Sequence, residues 1–120
     1  NVLLTGFKNN PLDYIAASNV YLSTSRWEGL PYSLIEASMM GLPSVATNVV
    51  GNNEVIKNNF NGKLFNPGDL KTAANNIVEI CTDNNLFEFY SKNAKIFYKD
   101  NFSVNKMITQ MQNIYSALVL

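Results

Sequence analysis

The sequence predicts an α/β fold in which a parallel sheet is buried on both faces and is followed by an all-helical tail. First, the short apolar runs are continuous rather than alternating, which is typical of strands covered on both sides. Second, segments with helical spacing separate these runs, as the crossover connections of a parallel sheet require. Third, from residue 69 onward the apolar residues recur only at the three- and four-residue intervals of a helix. The predicted strands are Val2–Phe7, Val20–Ser25, Ser44–Asn48 and Lys63–Phe65.

Apolar residues at helical spacing predict two groups of helices. Short helices connect the strands, at Leu12–Ala17, Tyr32–Met40 and Glu54–Lys57. Longer helices form the tail: an amphipathic helix from about Asp69 to Cys81, then Leu86–Lys99 and Val104–Leu118. Ser103 is the expected N-cap of the last helix, because its hydroxyl can accept a hydrogen bond from a free backbone N–H. Cys81 is expected to be a buried helix residue.

Composition narrows the chemistry that this chain can perform. Its 120 residues are 47% apolar, which fits one domain with a single hydrophobic core. Nine basic residues balance nine acidic ones, so no net charge draws the chain to nucleic acid. Histidine is absent and Cys81 is the single cysteine, which excludes a serine–histidine triad and an internal disulfide and leaves zinc without its usual nitrogen ligand. Chemistry must therefore rest on carboxylates and backbone groups.

The most informative segment is Ser25–Ala37, which runs from the end of a strand through a glycine turn into a helix. Ligands of open α/β sheets bind at this kind of position. Pro31 suits the first helical residue, which makes Leu30 the N-cap, and leucine cannot cap. The free backbone N–H groups then need another acceptor, and a diphosphate would provide one. These groups belong to Gly29, Leu30, Tyr32 and Ser33.

Two glutamates in this segment, separated by seven residues, are the candidate functional carboxylates. Glu28 lies in the turn, where it can point across a ligand site, although a glutamate beside a glycine is also common as a surface loop acid. Glu36 has an alternative structural interpretation. Ser33 and Glu36 match the capping box, in which the serine caps the helix and the glutamate reaches back to the serine N–H.

The segments Ser25–Ala37, Gly41–Thr47, Gly51–Ile56 and Gly62–Asp69 resemble the donor-binding core of retaining GT-B glycosyltransferases of the glycosyl transferases group 1 family. The resemblance covers most of the chain from Val2 to the first tail helix. It implies that residues 1–120 form the C-terminal nucleotide-sugar-binding domain, a Rossmann-like part of a GT-B fold without its acceptor domain. It also implies the strand order 3-2-1-4-5-6, in which Val2–Phe7 is the third strand and the first two lie upstream.

The resemblance also implies a role for each site residue. Glu36 would hydrogen-bond the ribose hydroxyls of the nucleotide. Glu28 would be the catalytic residue beside the transferred sugar, and both a nucleophilic and an electrostatic role fit the sequence. Gly29, Leu30, Tyr32 and Ser33 would offer backbone N–H groups, whereas Pro31, within the same donor-binding turn, has none to offer. Supporting roles fall to Thr47, Gly51 and Glu54, although Glu54 equally suits the positive end of a helix dipole.

The function implied by the resemblance is transfer of a sugar, with retention, from a nucleoside-diphosphate sugar to a glycan or lipid-linked acceptor. No metal or cofactor is implied, and the expected setting is polysaccharide biosynthesis in a bacterial cytoplasm. A basic stripe of Lys92, Lys95 and Lys99 allows peripheral membrane contact, although so few charges more often form a solvated face. An open sheet edge at Val20–Ser25 would favour self-association. The alternatives are a non-catalytic α/β ligand-binding or interaction module and a nucleotide-sugar epimerase.

Overall fold

The computed structural model describes residues 1–119 and confirms the predicted α/β class. Its sheet contains the strands β1 (Tyr21–Ser23), β2 (Ser44–Thr47) and β3 (Gly62–Phe65). They are parallel and lie side by side in the order β1-β2-β3. Leu22 lies opposite Val45, and Ala46 lies opposite Leu64. Within residues 1–119, β1 pairs with β2 alone, so its other edge has no neighbouring strand.

Six α-helices surround and extend this sheet in the described part of the chain. They are α1 (Pro11–Ala16), α2 (Tyr32–Met40), α3 (Asn52–Val55), α4 (Leu70–Thr82), α5 (Asn84–Asn101) and α6 (Val104–Leu118). The predicted bounds of α2 and α6 are confirmed, whereas α3 begins two residues before the predicted Glu54. Ser103 caps α6 as predicted, because its Oγ accepts a hydrogen bond of 3.3 Å from the Lys106 N–H.

Apolar clusters cover both faces of the sheet, as the continuous apolar strands predict. One cluster joins β2 to α2 and α3 and consists of Leu34, Ile35, Ala46, Val55 and Ile56. The other joins β2 and β3 to α4 and α5 and consists of Val45, Phe65, Ala73, Ile80 and Tyr90. Because neighbouring residues of a strand point to opposite faces, adjacent residues of β2 contribute to different clusters.

One predicted strand and one predicted buried residue are wrong. Val2–Phe7 is not a strand, and its residues are exposed. A strand needs a hydrogen-bonded neighbour, and no described strand lies beside this segment. Cys81 is exposed rather than buried. It follows the buried Ile80, and one residue along a helix turns the side chain by about 100°, away from the side of α4 that packs on the sheet.

Helix α6 extends from the domain without burying any of its residues. Its exposed large apolar side chains are Val104, Met107, Ile108, Met111, Ile114, Tyr115 and Leu118. None of the helices in residues 1–119 is long and apolar enough to cross a membrane.

Candidate functional site

The candidate site is the turn between β1 and α2, residues 24–31, at the carboxyl end of the parallel sheet. The carboxyl ends of parallel strands meet at one edge, so this turn lies next to the segment that connects β2 to α3. Within the turn Glu28 is partly buried, whereas Trp27 is 80% exposed. The turn therefore presents backbone and side chains to solvent at the edge where α/β sheets bind ligands.

The N-cap of α2 lies one residue later than predicted, although the helix itself spans the predicted residues. Pro31 is the N-cap rather than the first helical residue, because its ψ of 90° is extended. Its carbonyl accepts hydrogen bonds of 3.1 Å from the N–H groups of Leu34 and Ile35. The predicted N-cap, Leu30, therefore lies one residue outside the helix.

Four backbone N–H groups at the start of α2 are available to a ligand. They belong to Gly29, Leu30, Tyr32 and Ser33, which are exposed and whose N–H groups have no hydrogen-bond acceptor within residues 1–119. Free N–H groups at a helix start, together with the helix dipole, favour an anion. The local chemistry predicted for this turn is therefore compatible with the structure, and binding itself stays a prediction.

The capping-box interpretation of Ser33 and Glu36 is wrong. Ser33 is the second helical residue rather than the N-cap, and α2 has no side-chain cap. The Ser33 Oγ instead accepts a hydrogen bond of 2.7 Å from the Tyr21 hydroxyl on β1. The sequence offered no local signal for this contact, because its partners lie 12 residues apart. Glu36 is therefore not needed to cap α2.

Glu28 is held by a hydrogen bond within the turn. The Ser25 hydroxyl donates to Glu28 Oε1 at 2.5 Å, a short contact typical of a hydroxyl bound to a carboxylate. The carbonyl of Ser25 in turn accepts a bond of 2.5 Å from the Thr47 hydroxyl at the end of β2. Glu28 is therefore not a freely moving surface acid, because its carboxylate is bound by Ser25 and the backbone of Ser25 is bound by Thr47.

The three residues predicted to support the site lie in different environments. Thr47 is 3% exposed and contacts the turn directly through Ser25. Gly51 is the N-cap of α3 with a φ of 89°, and a Cβ placed there would lie 2.6 Å from the Gly29 carbonyl oxygen. This glycine thus lets the backbone approach the turn itself. Glu54 is exposed in the first turn of α3, where its charge faces the favourable end of the helix dipole.

Sequence reasoning missed a buried asparagine beneath the turn. Asn52 is 0% exposed, and its Nδ2 donates to the backbone carbonyl and the hydroxyl of Thr47, both at 3.1 Å. The chain is rich in asparagine, and nothing in the local pattern distinguishes this one from the others.

The two glutamates lie in different surroundings. Glu36, partly buried on α2, lines an open groove of 480 Å³ between α2 and the α5–α6 junction. Leu30 and Tyr32 belong to the same groove, so part of the turn opens into it, whereas Glu28 is not among its lining residues. The structure places Thr47 and Gly51 against the turn that carries Glu28, and it places Glu36 on the helix that follows.

The described residues contain no group of acidic, cysteine or histidine side chains that could hold a metal ion. A parallel sheet with helices on both faces, and a turn with free backbone N–H groups at its carboxyl end, defines a Rossmann-like α/β domain. Residues 1–97 match the model of the glycosyl transferases group 1 family. The chain belongs to this family.

Curated relatives are similar over almost the whole chain. The UDP-Gal:alpha-D-GlcNAc-diphosphoundecaprenol alpha-1,3-galactosyltransferase of Escherichia coli is 32% identical over 99% of this chain and 30% of its own length. The N-acetyl-alpha-D-glucosaminyl L-malate synthase of Bacillus anthracis is 29% identical over 95% of this chain and 30% of its own length. The chain thus spans less than a third of either relative.

Solved structures share the fold. Anabaena HepE in complex with UDP matches with a TM-score of 0.89 at 26% identity, over 94% of this chain and 31% of that chain. Sucrose-phosphate synthase from Thermosynechococcus elongatus matches with a TM-score of 0.82 at 28% identity, over 88% of this chain and 27% of that chain. The three strands and flanking helices are therefore part of a GT-B fold.

Proposed function

We propose that this chain is the donor-binding domain of a retaining glycosyltransferase. In the proposed reaction the bond from the anomeric carbon to the phosphate oxygen breaks, and a bond to an acceptor hydroxyl oxygen forms with the same anomeric configuration. The nucleoside diphosphate leaves, and the acceptor hydroxyl loses its proton. The observation that carries the proposal is the turn between β1 and α2, where Glu28 is followed by four free backbone N–H groups in the turn and the first two residues of α2, in a chain of this family.

The donor is a nucleoside-diphosphate sugar in this proposal, and UDP-sugars are the first to test. One similar structure contains UDP and another contains UDP-glucose. The name of the Escherichia coli relative specifies UDP-Gal as donor and a diphosphoundecaprenol-linked acceptor. We propose a glycan or lipid-linked acceptor, held outside these 120 residues, and a cytoplasmic location with peripheral membrane contact.

The proposed roles follow from charge and position. The free N–H groups of the turn would bind the diphosphate, because it supplies the anionic acceptor that a helix start favours. Glu36 would accept hydrogen bonds from the ribose hydroxyls, each contributing about 1.5–3 kcal/mol because the acceptor is ionised. Glu28, oriented by Ser25, would stabilise positive charge that develops on the transferred sugar.

Comparison of Glu28→Gln with Glu36→Ala in the full-length protein tests this division of roles. Glu36→Ala should weaken donor binding without a large change in melting temperature, because the residue caps no helix. Glu28→Gln keeps the size of the side chain but removes its charge, so kcat should fall more than donor affinity. Saturation-transfer NMR with UDP, GDP and ADP measures affinity. Glu88→Ala, at an exposed glutamate of α5, is the control for loss of charge.

The assay also separates the alternatives. NMR of the product reports the anomeric configuration, and inversion would overturn the retaining mechanism. Free sugar in place of a transferred one would favour an epimerase-type enzyme. Nucleotide binding without turnover for any donor would favour a non-catalytic module. Equal losses of kcat and affinity in Glu28→Gln would make Glu28 a binding residue only.

A further inference from the structure

A fully buried asparagine of α3, Asn52, lies against the carboxyl end of β2 and makes all its side-chain hydrogen bonds within residues 1–119 through its NH₂ group. Asn52 donates through Nδ2 to the Thr47 carbonyl and hydroxyl, both at 3.1 Å, and reaches the Ser23 hydroxyl at 3.5 Å. A carbonyl oxygen can only accept, so the contact with the Thr47 carbonyl requires the amide NH₂ to point toward β2. The orientation of the Asn52 amide is thereby determined.

These contacts continue to Glu28 without a gap. The Thr47 hydroxyl, which accepts from Asn52, donates its own proton to the Ser25 carbonyl. Ser25 then donates its hydroxyl to Glu28. Gly51, immediately before Asn52, packs against the backbone of Glu28 and Gly29. The turn that carries Glu28 is thus supported by the β2–α3 connection through a hydrogen-bond chain and through backbone packing.

A second fully buried asparagine, Asn61, provides a comparison because its hydrogen bonds do not involve the candidate site. Asn61 is also 0% exposed, and both ends of its amide are satisfied, by the Lys57 N–H at 2.7 Å and the Val55 carbonyl at 2.9 Å. Asn52, in contrast, leaves its Oδ1 buried without a partner within residues 1–119. A buried oxygen without a hydrogen bond destabilises the fold. All the side-chain hydrogen bonds of Asn52 within residues 1–119 are thus made by its NH₂ group, toward Thr47 and Ser23.

We propose that Asn52 and Thr47 are positioning residues that set the orientation of Glu28 through Ser25. This inference rests on the proposed role of Glu28 in sugar transfer. Neither residue needs to touch the donor. The Thr47 hydroxyl fixes the Ser25 carbonyl, and the Ser23 hydroxyl, which Asn52 contacts, donates to the Ser25 hydroxyl at 3.4 Å. The Ser25 hydroxyl in turn holds the carboxylate, so that Glu28 is already oriented when the donor binds.

The principal experiment compares Asn52→Ala with Asn61→Ala in the full-length protein. Both variants remove a fully buried amide and should lower the melting temperature. Only Asn52→Ala should lower kcat, by about 10- to 100-fold, because only Asn52 is connected to Glu28. The KM for the donor should change little in both variants. A purely structural role would give two destabilised proteins with unchanged kcat below their melting temperatures, and that result would overturn the proposal.

A second pair of variants keeps the proposal testable if Asn52→Ala does not fold. Thr47→Val keeps the shape of the side chain but removes the hydroxyl that bridges Asn52 and Ser25, whereas Thr47→Ser keeps the hydroxyl. We expect kcat to fall in Thr47→Val and to be largely restored in Thr47→Ser. In NMR spectra of the same protein, the backbone amide signals of Glu28 and Gly29 should shift more in Thr47→Val than in Thr47→Ser.

Failure of this inference can be distinguished from failure of the proposed function. If Glu28→Gln abolishes turnover while Thr47→Val and Asn52→Ala retain it, Glu28 is catalytic and the positioning chain is wrong. If the unmodified protein transfers sugar and Glu28→Gln does so equally well, the role of Glu28 fails and the inference fails with it. Equal losses of kcat in Thr47→Val and Thr47→Ser would show that shape, not the hydroxyl, matters.

Discussion

The turn between β1 and α2 and the helix α6 are stabilised in opposite ways. Side chains from β2 and α3 support the turn from beneath, and Thr47 and Asn52 are both buried there. Helix α6 has a serine N-cap and a regular apolar pattern, yet none of its residues is buried. The turn therefore depends on contacts made at long range along the chain, whereas α6 forms through local signals and leaves its apolar side uncovered.

The two regions differ in how far apart in sequence their stabilising partners lie. The contact between Thr47 and Ser25 spans 22 residues of sequence. The cap of α6 spans three. The self-association predicted from the open edge of β1 stays a prediction.

The largest expected effect comes from the core that anchors the helix following the turn. Leu34→Ala removes a side chain of α2 that is 0% exposed and should destabilise the domain by about 2–5 kcal/mol. Ile114→Ala, on α6 at 57% exposure, should change stability by less than about 0.5 kcal/mol. Urea unfolding of both variants measures the difference. A similar loss in Ile114→Ala would mean that α6 is covered in solution, and the contrast between the regions would disappear.

The fold was largely predictable because its signals are local. Three of the four strands predicted from continuous apolar runs are present. Helical spacing of apolar residues predicted α2 and α6 with their observed bounds. The strand predicted at Val2–Phe7 is absent. Its apolar residues are typical of a strand, but a strand also needs a hydrogen-bonded neighbour, and the described residues provide none. The predicted burial of Cys81 is wrong because Cys81 follows the buried Ile80, and one residue of helical rotation turns its side chain away from the sheet.

The site was predictable only in outline. The exposed glycine turn, Glu28 and Glu36 could be read from one continuous segment, and their roles stay predictions. The N-cap of α2 was misplaced by one residue, since the extended ψ of Pro31 depends on the path of the turn. Asn52 was missed because its importance comes from Thr47 and Ser25, which adjoin it in space and not in sequence.

A smaller effect is expected where the backbone of the turn meets the β2–α3 connection. Gly51→Ala places a Cβ 2.6 Å from the Gly29 carbonyl oxygen at a φ of 89°, which should destabilise the domain by about 1–3 kcal/mol. Gly29→Ala is the matched control, because a Cβ there meets nothing within 4 Å. Thermal unfolding compares the two. If Gly51→Ala were as stable as Gly29→Ala, the turn would not rest on this connection.

The smallest effect concerns another local feature, the N-cap of α4, which resembles the cap of α6. Asp69 accepts hydrogen bonds from the Thr72 N–H at 3.0 Å and the Thr72 hydroxyl at 2.7 Å. The backbone bond first, and then the hydroxyl bond, hold the pKa of the Asp69 carboxyl below its ordinary value of 3.8.

A lowered pKa means that ionised Asp69 stabilises the folded chain above pH 3.8 and that this contribution is lost as the pH falls through the folded-state pKa. Asp69→Asn also caps a helix but does not titrate. The melting temperature of the unmodified chain, relative to that of Asp69→Asn, should therefore decrease as the pH is lowered from neutral to below 3.8. The decrease should be small, because the side chain is exposed and solvent screens its charge. A difference that stays constant over this pH range would show that Asp69 caps α4 through geometry alone.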